Sequence, residues 1–186
     1  MRYRRNLALG GTFFFTVVTW RRQPFFADEA NICLLRNAIE AVKKKHPFCI
    51  DAMVVLPDHV HCIWSLPSGD GNYPLRWRLI KTGFTKHYNS HSGTHLQSLG
   101  NTGDAGVVTH KLWQPRYWEH TIANDNDLAR YIDYIHYNPV KHGYAATVRE
   151  WKLSSFHRYV AAGVYPANWT ADPSSFEWAS HKSRSD

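Results

Sequence analysis

The sequence predicts an α+β fold: one antiparallel sheet in a split βαβ arrangement, with helices laid against it. Three observations carry this. Runs dense in β-branched and aromatic residues at 11–20, 48–56 and 59–66 read as strands. Apolar residues at helical spacing over 28–45 and 74–89 read as the connecting helices. A further strand over 113–122 and a helix over 126–137 complete the order β-α-β-β-α-β-α, ahead of a C-terminal extension.

Each element has a local reason. Residues 2–9 form a basic arm, and the Phe-, Thr- and Val-rich strand after it is broken by Arg21-Arg22-Gln23-Pro24. Its apolar part is short and no small-residue cleavage site follows, so it is a strand and not a signal peptide. Asp28 caps the first helix, Ile32, Leu35, Ile39 and Val42 form its apolar stripe, and Lys43-Lys44-Lys45 suit the negative end of its dipole. Pro57-Asp58 is the tight turn of a hairpin between the second and third strands. The second helix turns Leu75, Leu79 and Phe84 inward and Arg76, Arg78, Lys81 and Lys86 outward. Residues 90–110 lack periodicity and read as a flexible excursion. Gly93 and its polar surroundings argue against a helical His87-His91-His95 metal ladder. Asn124 or Asp125 caps the third helix, and Asn138-Pro139 is expected to terminate it, because the residue before proline avoids helical geometry. Trp151, Leu153, Phe156, Tyr159 and Val160 suggest a short docked helix, with a loose Ser-rich end beyond Pro173.

At 186 residues the chain is long enough for one domain with its own core, and no apolar run reaches membrane-spanning length. The three cysteines, Cys33, Cys49 and Cys62, have neither zinc-type nor disulfide-framework spacing, which fits a reducing cytoplasm. Net charge is +7, the pI is near 9.4, and there are 8 Trp and 10 Tyr. Cations neutralise phosphates and flat rings stack on unpaired bases, so this composition favours a nucleic-acid partner. A basic protein with an aromatic core is the plainer alternative.

The chemistry centres on Pro57-Asp58-His59-Val60-His61-Cys62-Ile63-Trp64. Residues two apart on a strand share a face, so His59 and His61 lie side by side with Val60 turned to the core. Two imidazoles so placed suit one divalent metal. With 12 histidines in the chain, about one such pair arises by chance, and the pair needs a third ligand to carry weight. Tyr131-Ile132-Asp133-Tyr134-Ile135-His136-Tyr137-Asn138 offers one. Tyr134 and Asn138 are four apart and share a helical face. An amide oxygen ligates Mg²⁺ or Mn²⁺, and a phenol is a competent nucleophile. The same tyrosines also fit an aromatic stripe packed on a sheet.

The joint pattern resembles a known family. Asp58-His59-Val60-His61-Cys62-Ile63-Trp64 is similar to the His-hydrophobic-His motif of single-tyrosine transposases and relaxases. Residues 131–143, through Asn138-Pro139-Val140-Lys141-His142-Gly143, resemble the nucleophile helix of the REP-associated tyrosine transposases. Residues 10–16, 113–120 and 151–158 resemble that branch too, in order, so the likeness runs from about residue 3 to about residue 170. It implies a ferredoxin-like nuclease domain over 1–150 and an extension over 151–186 whose last part is flexible. It also implies single-stranded DNA as substrate, read as a hairpin of repetitive extragenic palindromes with a short guide sequence at its foot. His59, His61 and Asn138 take the metal positions, with Mg²⁺ or Mn²⁺ as cofactor, and Tyr134 the nucleophile position.

The expected reaction is transesterification: Tyr134 attacks a phosphodiester, leaving a 5′-phosphotyrosyl link and a free 3′-hydroxyl. A free phenol of pKa about 10 is only about 0.1% ionised at neutral pH, so Lys141, His136 or His142 is expected to assist it. Asp58 either orients the histidines or only makes the turn. DNA contacts are expected from Arg4, Arg5, Arg76, Trp77, Arg78, Arg116, Trp118, Lys141 and Arg158, with Arg76 and Arg78 around Trp77 foremost. The expected setting is cytoplasmic and nucleoid-associated, without a membrane, as a monomer or weak homodimer. The competing readings are a non-catalytic nucleic-acid module on a ferredoxin-like sheet, a phosphoesterase that activates water, and a structural protein.

Overall fold

The computed structural model describes residues 10–91, 111–176 and 178. Strands β1 (Thr12–Val18), β2 (Cys49–Leu56), β3 (His59–Ser65) and β4 (Trp118–Thr121) form a four-stranded sheet in the order β2-β3-β1-β4, each neighbouring pair antiparallel. Helices α1 (Glu29–Lys45) and α2 (Tyr73–His91) cross between strands, and α3 (Asp125–Lys141) and α4 (Phe156–Ala161) follow the last one. This is the ferredoxin-like α+β arrangement that the element order predicts.

Strand alternation sorts the sheet into two cores. Phe13, Phe15 and Val17 of β1 and Val60, Cys62 and Trp64 of β3 meet α1 and α2. Phe14, Ile63, Ala52 and Val54 point the other way, against α3 and the extension. Both faces are therefore covered, and β1 and β3 are buried nearly throughout.

The α2 face is rotated from the expected one. Tyr73, Trp77, Ile80 and Phe84, at spacings of four, three and four, are its buried stripe, while Leu75 and Leu79 are only half-buried. Trp77 stacks on Trp64 with ring centroids 4.2 Å apart. Arg76 is 2% exposed. Its guanidinium donates to Asp70 at 2.6 and 3.2 Å and to the carbonyls of His46, Pro47 and Asn72. It ties the start of α2 to two loops. Arg76 and Trp77 are thus built into the interior and cannot present themselves to DNA, which corrects that expectation.

Helix α3 passes through Asn138 and Pro139 and ends only at Lys141. A proline near the end of a helix removes one amide donor, and packing on the sheet outweighs that loss. The stop comes from Gly143 at φ 72°, with Gly143 N–H donating to Val140 O and Tyr144 N–H to Pro139 O. α2 likewise continues to His91; His95, and most of the segment expected to be flexible, lie outside the described residues.

The extension lines the free edge of β2. Val55 N–H donates to Leu153 O, Ser155 N–H to Met53 O, and Trp151 Nε1 to Val55 O. Arg158 donates to the carbonyls of Ile50 and Asp51, at the irregularity between Ile50 and Ala52. The chain from Pro173 to Phe176 is also docked, contrary to the expectation of a loose end: Phe176 is buried against Tyr134 and Tyr137.

Between β1 and α1 the backbone is strained. Arg21 and Arg22 both have left-handed φ, 51° and 53°. For non-glycine residues this costs about 1–2 kcal/mol each. Thr19 holds the turn, its Oγ1 lying 2.8 Å from the carbonyl oxygens of both Gln23 and Asp58.

Candidate functional site

His59 and His61 project from β3 on the α3 side of the sheet, each 3% exposed, with ring centroids 4.8 Å apart. Each has its Nδ1 engaged. His59 Nδ1 is 2.5 Å from Asp58 Oδ1, and His61 Nδ1 is 2.8 Å from Thr16 Oγ1, which β1–β3 register sets directly opposite. Nδ1–H as donor leaves Nε2 of both rings with its lone pair, the tautomer a metal ligand requires. Burial chiefly, helped by the neighbouring His59, His142 and Lys141 side chains, holds His61 well below the ordinary histidine range; the Asn138 side chain works the other way. A neutral imidazole is the form that binds a cation.

α3 brings the second half. Its length past residue 137 keeps Asn138 one turn beyond Tyr134 on the same face. Asn138 is fully buried, donates from Nδ2 to Tyr134 O at 3.4 Å, and leaves Oδ1 without a hydrogen-bond partner. A buried unpaired amide oxygen is costly in a finished interior, and an oxygen-seeking cation would satisfy it. Tyr134 packs on His61 with centroids 5.3 Å apart, and Lys141 Nζ sits 4.8 Å from the centre of its ring. Among the described residues, no three His, Cys, Asp or Glu side chains gather to hold a metal. The donor set here is two imidazoles and one amide. These donors fit a divalent cation that takes both nitrogen and oxygen ligands, such as Mn²⁺.

The surroundings decide several open roles. Asp58 orients His59, and Arg22 Nη1 in turn donates to Asp58 Oδ2 at 3.0 Å. Hydrogen bonds and charge from His59 and Arg22 outweigh the burial of Asp58 and bring its carboxyl down to about 2. His142, at the end of α3, lies 5.3 Å from the His59 ring, and burial lowers it to about 4. His136 is turned away from Tyr134 and bonds Ser155 Oγ at 2.8 Å. Of the three groups considered as helpers for the phenol, Lys141 is the one over it.

Tyr134 is only 8% exposed. Phe176 and Trp178 lie over it, with centroids 5.7 and 5.6 Å away. Sequence patterns did not reveal this cover, nor Thr16 or Arg22. Thr16 was detectable in principle, as a polar residue on the inward face of an aromatic strand.

The expected DNA contacts divide. Arg78 and Arg116 are exposed, Lys141 faces the site, and Trp118 is half-buried on the site's side of the sheet, edge-on to Phe14. Arg158 holds the β2 carbonyls, and Arg76 and Trp77 are interior. Arg4 and Arg5 lie outside the described residues.

Known proteins share this architecture. The REP-associated tyrosine transposase of Escherichia coli (strain K12) is 45% identical over 175 residues, 94% of this chain and 93% of that protein. The "Putative REP-associated tyrosine transposase" of Haemophilus influenzae (strain ATCC 51907 / DSM 11121 / KW20 / Rd) is 40% identical over 172 residues, 92% of this chain and 94% of that one. A solved REP-associated tyrosine transposase bound to a REP hairpin superposes with a TM-score of 0.77 at 43% identity, covering 92% of each chain. No protein-family model matches.

Proposed function

Since the chain belongs to the REP-associated tyrosine transposases, transposase-type DNA-processing enzymes, we propose that it nicks and rejoins single-stranded DNA beside a REP-type hairpin through a 5′-phosphotyrosine on Tyr134. The observation that carries this is the meeting of His59 and His61, from a hairpin, with Tyr134 and Asn138, from a distant helix.

His59, His61 and Asn138 would hold a divalent cation, which when bound would supply positive charge to offset that of the phosphate. Tyr134 Oη attacks phosphorus in line with the 3′ oxygen. The Oη–P bond forms as the P–O3′ bond breaks, and the phenol proton ends on the released 3′-hydroxyl. One phosphoester replaces another, so resealing is the same step reversed. The Lys141 ammonium, over the ring, offsets negative charge growing at the tyrosine and phosphate. Asp58 and Thr16 fix the imidazoles, so little reorganisation is needed once DNA is in place. Two neutral imidazoles favour Mn²⁺ over Mg²⁺, and Mn²⁺ is expected to support cleavage at least as well. DNA affinity of this kind accords with a nucleoid-associated protein; no described helix is long and apolar enough to cross a membrane.

Binding without cleavage has one observation in its favour: Tyr134 is covered by Phe176 and Trp178. An open RNA-type platform is disfavoured, because α3 and the extension occupy the sheet face it would need. The test is a denaturing gel of end-labelled hairpin DNA with protein and Mn²⁺. A denaturation-resistant adduct, absent with chelator and with Tyr134→Phe, is expected. Free cleaved product that survives Tyr134→Phe would mean water is the nucleophile. Binding with no cleavage at all would leave the module.

A further inference from the structure

The β1–α1 turn sets two consecutive arginines in the left-handed region, beside the residue that orients His59. Glycine would relieve that backbone at once, so the side chains have a use there. Arg22 is half-exposed, 51% at its side chain, and spends one guanidinium nitrogen on Asp58. A guanidinium has five donors in a planar fork. The rest of the fork is accessible at the edge of a site whose other charged groups are Asp58 and Lys141. Two more exposed cations stand on the same end of the sheet. Trp20, held by its backbone N–H to Leu112 O, has two cations near its ring centre, Arg21 at 5.8 Å and Lys111 at 5.0 Å. Cation–π contact favours both charges staying near Trp20, two residues before Arg22 in the chain.

Resting on the proposed role of His59 and His61, we infer that Arg22 grips a DNA phosphate next to the scissile one while its Nη1 holds Asp58, with Arg21 and Lys111 continuing the phosphate track. Strand and metal site are then joined through one chain of contacts: phosphate, Arg22, Asp58, His59. A correctly seated strand stiffens the imidazole that holds the cation, and a mis-seated one leaves Arg22 free to swing away from Asp58. Arg22 here is a binding and positioning residue and not a catalytic one.

The first test needs no metal. Binding of a labelled hairpin with a single-stranded foot is titrated in chelator at several salt concentrations. Loss of one phosphate contact on single-stranded DNA lowers the slope of log affinity against log salt by about 0.7. Arg22→Gln is expected to show that loss, Lys111→Gln a similar one, and Arg22→Lys to keep the slope. Arg36→Gln, on exposed α1 across the sheet, is expected to match the unsubstituted chain. Mn²⁺ affinity of the free protein is measured in parallel. Arg22→Gln is expected to weaken it about tenfold through Asp58, as loss of an outer-shell partner does. An unchanged salt slope in Arg22→Gln overturns the phosphate grip, and unchanged Mn²⁺ affinity overturns the link to Asp58. Should the unsubstituted chain form no covalent adduct with Mn²⁺, the nuclease reading fails while the chelator titration still decides Arg22.

Discussion

Ending the chain after Asp172 is expected to accelerate formation of the Tyr134 adduct. Phe176 is 4% exposed, and Trp178 is half-buried with the Arg130 guanidinium 5.0 Å from its ring centre. Burying a phenylalanine contributes about 2–3 kcal/mol, and the partly covered indole adds about 1 kcal/mol. Ordering a few terminal residues offsets part of this, leaving a docking free energy of about 2 kcal/mol. On the proposed mechanism, DNA must displace the rings before a phosphate reaches Tyr134 Oη. The competent fraction at rest is then about 3%, and the apparent rate is reduced by that fraction. Removing residues 173–186 should raise the single-turnover rate about 30-fold, and Phe176→Ala should recover much of that gain. The assay is the time course of adduct on a denaturing gel at saturating hairpin, with circular dichroism to check the fold. A truncated, folded chain that reacts no faster would refute the argument. A slower one would mean the rings hold Tyr134 in its working orientation.

Other substitutions separate site from scaffold. Thr16→Val keeps the shape of the side chain but removes the hydrogen bond to His61 Nδ1, and should weaken Mn²⁺ binding about tenfold by calorimetry. Asn138→Ala deletes the unpaired Oδ1 and should do at least as much, with little loss of thermal stability; a large stability loss and unchanged Mn²⁺ affinity would make Asn138 structural. Trp77→Phe should lower stability by about 1–3 kcal/mol in urea melts and leave the salt dependence of hairpin binding alone. Asp70→Asn should destabilise the chain near neutrality, because it unpairs the buried Arg76. Hydrogen bonding from Arg76, first among the causes, lowers the Asp70 pKa in the fold. Its contribution is therefore complete above the unfolded value of about 3.9 and lost as pH falls through the folded value. The stability gap between the two proteins should close in melts below about pH 4.

Much of the fold was readable because period and element agreed. β1 and β3 are dense in β-branched and aromatic residues, and the Asp28 cap and lysine-rich end bracket α1 where expected. The errors came where two registers competed. In α2, Leu75 and Leu79 form one plausible stripe and Tyr73, Trp77, Ile80 and Phe84 another. The second buries far more surface, at the expense of sealing Arg76 inside, and five hydrogen bonds make that tolerable. A tryptophan between two arginines looked like a base-stacking platform because local sequence cannot tell which helix face is inward. In α3, the pre-proline rule is a local preference of the backbone, overruled by burial of Asn138 and Pro139 against the sheet.

The histidine pair and the tyrosine–asparagine pair were legible for the same reason: each lies within a single element, where spacing translates directly into a shared face. Their orienting partners do not. Thr16 reaches His61 through strand register, Arg22 reaches Asp58 through a strained turn, and Phe176 reaches Tyr134 from more than forty residues away. Such partners carry no periodic signal, because only the assembled sheet defines what they face. Yet they determine whether the histidines present Nε2, whether Asp58 stays ionised, and whether the phenol is accessible. A chain that kept His59, His61, Tyr134 and Asn138 but lost Thr16 and Arg22 would therefore match the motif and still bind its cation weakly. Mn²⁺ titration of the Thr16→Val, Arg22→Gln double variant makes this measurable. If the two partners act independently through separate imidazoles, their losses should multiply to about 100-fold; a double variant no weaker than either single one would show that the imidazoles need no such support.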